Sequence, residues 1–181
     1  GIPVQVFIID YRGYGRSEGK PDEKGLYRDA RAAWRYLTED GDVDPGRIVI
    51  LGKSLGGAVA VDLATQVDPA GLIVESSFAS VPEMAAHHYP FVPRWLIRTK
   101  LDSQSKIGSV GCPVLVIHSP ADEVVPFEQG RRLFEAAPMD KRFLEIPGAG
   151  HNELWLVGGT RYFETLREFL VDCGAKTGGG V

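Results

Sequence analysis

The run Ile48-Val-Ile-Leu-Gly52-Lys-Ser54-Leu-Gly56-Gly-Ala-Val-Ala-Val-Asp62-Leu-Ala64 decides how the rest of the chain is read. Ile48 to Leu51 is a short apolar run of the kind that forms a buried strand. It breaks at Gly52, and small apolar residues resume at helical spacing from Leu55. Between them stands Gly52-Lys53-Ser54-Leu55-Gly56, the G-x-S-x-G pattern of a nucleophile elbow, in which a serine occupies a strained strand-to-helix turn. Gly52 and Gly56 are expected to provide clearance against the facing backbone. The helix that follows aims its first N–H groups at any negative charge developing beside the serine.

Outward from the elbow, apolar strands alternate with amphipathic helices. Upstream, Val4 to Ile9 is a near-continuous β-branched run, read as a strand covered on both faces. The loop Asp10-Tyr11-Arg12-Gly13-Tyr14-Gly15-Arg16-Ser17-Glu18-Gly19 follows it. A dinucleotide-binding reading fails there, because G-x-G-x-x-G needs glycine where Glu18 stands and no helix opens at that point. Asp22 is a good N-cap for a helix burying Leu26, Ala30, Ala33, Trp34 and Leu37, closed by Gly41 and Pro45. Downstream, strands are predicted at Gly71 to Glu75, Pro113 to His118 and Arg142 to Ile146. Helices are predicted from Phe127, with Gly130, Leu133, Phe134 and Ala137 inward, and from about Gly159 to Asp172, with Tyr162, Phe163, Leu166, Phe169 and Leu170 inward. Residues 78–110 have no clean period and carry Phe78, Tyr89, Phe91 and Trp95, as a lid over a pocket would. Arg94, Arg98, Lys100 and Lys106 make this insertion locally basic, read as a solvated face. The expected architecture is one α/β domain over residues 1–175, a mostly parallel sheet of about five strands with helices on both faces, and a flexible tail at 176–181.

Composition bounds the function. With 181 residues, 44% hydrophobic and 24% charged, the chain is the size of one globular domain. A formal charge of −4 argues against a nucleic-acid partner. No apolar run reaches the roughly 18 residues that span a bilayer, and contact with a membrane surface has no support in the sequence. Cys112 and Cys173 lie in different elements and are read as free thiols of a reducing compartment, so a cytoplasmic location is expected, with any targeting segment upstream of Gly1. No cluster has metal-ligand spacing, and neither a metal nor another cofactor is expected.

Parallel sheets collect ligands at the carboxyl ends of their strands. Ser54 follows one strand end, His118-Ser-Pro-Ala-Asp122-Glu123-Val-Val-Pro126 another, and Gly148-Ala-Gly-His151-Asn-Glu153 a third. A serine hydroxyl needs a base within reach, and a carboxylate must hold that base in one tautomer. Ser54, His151 and Asp122 supply nucleophile, base and acid in the order Ser…Asp…His. Glu123 is a rival acid, Asp122 could serve only as a helix cap, and His118 reads as structural. His87 and His88 have no assigned role. Tyr11, Phe78, Phe91 and Trp95 are candidate substrate contacts.

The segments Asp-Tyr-Arg-Gly-Tyr-Gly-Arg-Ser, Gly-Lys-Ser-Leu-Gly-Gly, His-Ser-Pro-Ala-Asp-Glu-Val-Val-Pro and Gly-Ala-Gly-His-Asn together resemble the serine α/β-hydrolase superfamily. Within it the chain is similar to small-lid members related to the α/β-hydrolase-domain depalmitoylases. The resemblance implies cleavage of esters, thioesters or amides through an acyl-enzyme, including acyl-peptide or peptide substrates. It carries the three roles onto Ser54, Asp122 and His151 and an oxyanion donor onto the backbone N–H of Leu55. Members of the superfamily begin with about three more strands. One of these lies between the strands corresponding to Val4–Ile9 and Ile48–Leu51, and the loop after it gives a second oxyanion N–H. Nothing in this chain supplies that strand, so either the chain is a piece of a longer protein, as a start without Met agrees with, or the sheet must close up or borrow a strand. Its unpaired edge should make it sticky or dimeric. Loss of one oxyanion donor typically costs about 10²–10³ in kcat, so weak activity is expected of it. The competing function is a non-catalytic, hydrolase-like binding module or an inactive fragment.

Overall fold

The computed structural model describes residues 4–89, 91, 93 and 96–175. Its sheet has four parallel strands, β1 (Val49–Lys53), β2 (Gly71–Glu75), β3 (Val114–His118) and β4 (Lys141–Glu145), hydrogen-bonded in that order. The register pairs Val49 with Gly71, Leu72 with Val114, and Val114 with Lys141. Every residue of β2 and β3 is buried, whereas the flanking β1 and β4 are partly exposed.

Alternation along the strands builds two cores. Leu72, Val74, Val114 and Val116 point to one face, where they meet Ala60, Val61 and Ala64 of α2 (Leu55–Ala64) and Leu133 of α5 (Phe127–Ala136). Ile73, Leu115, Ile117 and Leu144 point to the other, against Tyr162, Leu166, Phe169 and Cys173 of α6 (Leu154–Ala175). Helix α1 (Glu23–Arg35) packs Leu26 and Ala30 on Val59 and Leu63 of α2, and so forms an outer layer. Asp22 caps α1 as expected, accepting the Gly25 N–H at 2.9 Å.

Four differences from the sequence expectation have physical causes. Val4 to Ile9 is not a strand. No described strand lies beyond β1 to pair with it, so Val6 and Ile8 are 74% and 82% exposed and the sheet has four strands rather than five. The last helix begins before Gly159, which kinks it at φ +47°. Phe163, expected inward, is 47% exposed, because Tyr162 and Leu166 take the positions facing the sheet. The insertion is partly regular, with α3 (Val81–His88), capped by Ser80, and the single turn α4 (Gln104–Ile107).

Both ends of the insertion are fixed. At its start the Ala79 N–H donates to Gln129 of α5 at 3.0 Å. At its end the Lys100 and Leu101 N–H groups donate to the Glu23 carboxylate at 2.7 and 3.1 Å, and Lys106 bonds Asp62 of α2 at 2.6 Å. Trp95, Arg94 and the tail at 176–181 lie outside the described residues.

Candidate active site

Ser54 sits between β1 and α2 with φ +52° and ψ −121°, a conformation a non-glycine residue adopts at a cost of about 1–3 kcal/mol. Three contacts hold it there. Its N–H donates to the Glu75 carbonyl at 2.9 Å, and its carbonyl accepts from the Gly57 N–H at 3.0 Å and from the Ser77 hydroxyl at 2.8 Å. The side-chain hydroxyl is left out of helix capping, and the Leu55 N–H opens α2 without an intrahelical partner.

The close approach expected at Gly52 is present, whereas that expected at Gly56 falls at Gly57 instead. A Cβ on Gly52 would strike the Gly56 carbonyl. A Cβ on Gly56 would meet only the Tyr11 hydroxyl, at 3.9 Å. The second crowded position is Gly57, where a Cβ would lie 2.5 Å from Cβ of Ser77. Close approach of β2's end to the elbow therefore needs glycine at 52 and 57.

Asp122 and His151 meet directly. His151 Nδ1 lies 2.9 and 3.0 Å from the two Asp122 carboxylate oxygens, and the Asp122 side chain is completely buried. Asp122 Oδ1 also accepts the Val124 and Val125 N–H groups at 2.9 and 2.8 Å. Burial opposes ionisation of this carboxyl, but donation by His118, the Val125 N–H, His151 and the Val124 N–H outweighs it and holds the group well below the usual carboxylate range. Glu123, the rival acid, instead accepts the His151 backbone N–H at 3.0 Å. Ser54, Asp122 and His151 follow the carboxyl ends of β1, β3 and β4, along one edge of a parallel sheet. Among the described residues no hydrogen bond joins the Ser54 hydroxyl to His151.

The candidate substrate contacts separate. Phe78 is 7% exposed in a cluster with Ala58, Leu101 and Val125, packed against Leu55. Phe91 is 79% exposed and meets Tyr89 edge-on, with ring centroids 6.2 Å apart. Tyr11 is partly buried against the α1–α2 layer. Of the two unassigned histidines, His88 Nε2 lies 2.8 Å from the Val124 carbonyl, which ties α3 to the loop carrying Asp122.

Sequence reasoning missed the support beneath the elbow. Glu75, 4% exposed, accepts the Tyr162 hydroxyl at 2.5 Å and pairs with Lys53 at 3.6 Å, so the residue before Ser54 is bound to β2 and α6. Burial and the Glu75 carboxylate raise the Tyr162 pKa. The available signal was an acid closing an otherwise apolar strand, next to Ser76-Ser77.

Comparison with known proteins agrees with this architecture. Residues 3–105 match the family described as Serine aminopeptidase, S33. An uncharacterized protein of Mycobacterium tuberculosis is 45% identical over 173 residues, covering 95% of this chain and 62% of its own length. Alpha/beta hydrolase domain-containing protein 17B of Homo sapiens is 37% identical over 169 residues, covering 93% of this chain and 57% of its own length. The chain thus spans about three fifths of the length of these relatives. An esterase of Pyrococcus furiosus shares the fold with a TM-score of 0.74 at 20% identity, over 90% of this chain and 68% of the esterase. The chain shares the fold of these hydrolases, and by its sequence it belongs to the Serine aminopeptidase S33 family of the α/β-hydrolase superfamily.

Proposed function

We propose that this chain carries the reacting groups of a serine hydrolase that cleaves carboxylic esters or thioesters through an acyl-enzyme. The observation that supports it best is the buried Asp122–His151 pair on the same sheet edge as a strained, uncapped Ser54. In this reading Ser54 Oγ attacks the carbonyl carbon as its proton passes to His151 Nε2, while Nδ1–H stays on Asp122. The oxyanion is held by the Leu55 N–H. The tetrahedral intermediate collapses, the leaving group takes the proton from His151, and water repeats the sequence to free the acid. The exposed aromatic side chains of the insertion, Tyr89 and Phe91, favour an acyl substrate. Amide cleavage is the variant favoured by the family's description.

A second reading, a hydrolase-like binding module, draws on the missing hydrogen bond between Ser54 and His151. The two part in one experiment on the full-length protein. Intact mass is measured after exposure to a fluorophosphonate, alongside hydrolysis of a short acyl ester. A single adduct that disappears in Ser54→Ala, with a rate loss of about 10⁴ or more, supports the hydrolase. Hydrolysis unchanged in Ser54→Ala overturns it.

A further inference from the structure

His118 ends β3 and is completely buried. Its Nε2 lies 3.0 Å from the Val125 carbonyl and 3.4 Å from Asp122 Oδ2, so it faces only acceptors and carries the ring proton. Its Nδ1 has no hydrogen-bond partner. The ring fits only because Gly130 of α5 lacks a Cβ, which would collide with Nδ1, and Phe127 packs edge-on to it at 5.9 Å. A fixed imidazole with one nitrogen orphaned and the other spent on the Asp122 loop is costly as mere core filling, because an apolar ring would satisfy the same space.

We infer that His118 is a positioning residue, which through Nε2–H holds the Asp122 carboxylate in the rotation that presents it to His151. The inference rests on the catalytic reading above. The two Asp122 oxygens are served unequally. Oδ1 accepts two backbone N–H groups and His151 Nδ1 at 3.0 Å, whereas Oδ2 meets, among the described residues, only the two imidazoles, His151 at 2.9 Å and His118 at 3.4 Å. His118 is therefore the protein's brace on the oxygen that receives no backbone N–H. Through the Val125 carbonyl it also draws in the loop whose N–H groups hold Oδ1. The titratable groups around it are Asp122 and, beyond that carboxylate, His151, whose backbone is held by Glu123.

The test uses ester hydrolysis by the full-length protein, with His118→Phe, His118→Gln and Ser54→Ala, and thermal unfolding of each. His118→Phe keeps a ring and removes the donor, whereas the Gln amide can place N–H near the Nε2 position. The expected result is a kcat about tenfold lower in His118→Phe with KM unchanged. The acid limb of the kcat/KM profile should move upward by about half a unit, because a carboxylate with one donor fewer favours the imidazolium more strongly. His118→Gln should recover kcat to within about threefold. Equal losses in both variants with an unmoved acid limb would assign His118 to packing alone and overturn the inference. Wild-type rates in His118→Phe would overturn it as well. Activity retained in Ser54→Ala would instead sink the catalytic reading, and this inference with it.

Discussion

Two stretches of this chain read almost alike and end differently. Val4 to Ile9 is Val-Gln-Val-Phe-Ile-Ile, and Val114 to His118 is Val-Leu-Val-Ile-His. The second is β3, buried at every residue between β2 and β4. The first has no strand assignment, and Ile8 is 82% exposed. Side-chain type is only half of a strand, and the other half is a neighbour offering paired backbone groups and a covered face. The same lesson recurs at smaller scale. Gly52 and Gly57 stand where a Cβ would collide, and at Gly56 it would make only an ordinary contact with the Tyr11 hydroxyl.

Leu115→Ala removes a fully buried side chain from β3 and should cost about 2–5 kcal/mol in urea unfolding. Gly57→Ala forces a Cβ against Ser77 and should cost about 1–3 kcal/mol, whereas Gly56→Ala should be neutral or stabilising by up to about 1 kcal/mol. Equal effects at the two glycines would break the reading of the elbow.

Asp122 gives a pH signature. Its folded pKa lies below the unfolded value of about 3.9, so its ionised form adds stability above that value, and the gain is lost as pH falls through the window beneath it. Unfolding midpoints of wild type and Asp122→Asn should therefore converge between about pH 4 and pH 2. At Cys112, burial pushes the thiol up to about 12, so iodoacetamide at pH 8 should leave it unmodified until the chain unfolds. Smallest of all, Ile8→Ala should change stability by less than about 0.5 kcal/mol. A larger loss would mean that the segment at 4–9 is structured in solution.

The sequence was most legible where chemistry and local geometry coincide. The Asp22 cap, the turn at Ser54 and the Asp122–His151 pair each depend on residue types that few other arrangements require. It was least legible where the outcome depends on distant neighbours. No local pattern tells Val4–Ile9 from β3, or Phe163 from Tyr162, because the difference lies in which elements cover them. Glu123 and Asp122 are adjacent in sequence, and only the loop's path decides that one takes the His151 ring and the other its backbone. His118 was read as structural, and its contact with Asp122 follows from the turn that brings position 122 back over the end of β3.

The anchored ends of the insertion after β2 have an engineering meaning. Ala79 is moored to Gln129, and Lys100 and Leu101 to Glu23, so the segment between, provided that the ties of Glu83 to Arg132 and of His88 to the Val124 carbonyl are kept, behaves as a replaceable cassette in a fixed socket. Doubling the length of a flexible closed loop adds only about 0.6 kcal/mol of closure entropy. Cassettes of different length and composition can therefore be grafted between the same two moorings, leaving the frame around Ser54 intact while the surface above it is rewritten.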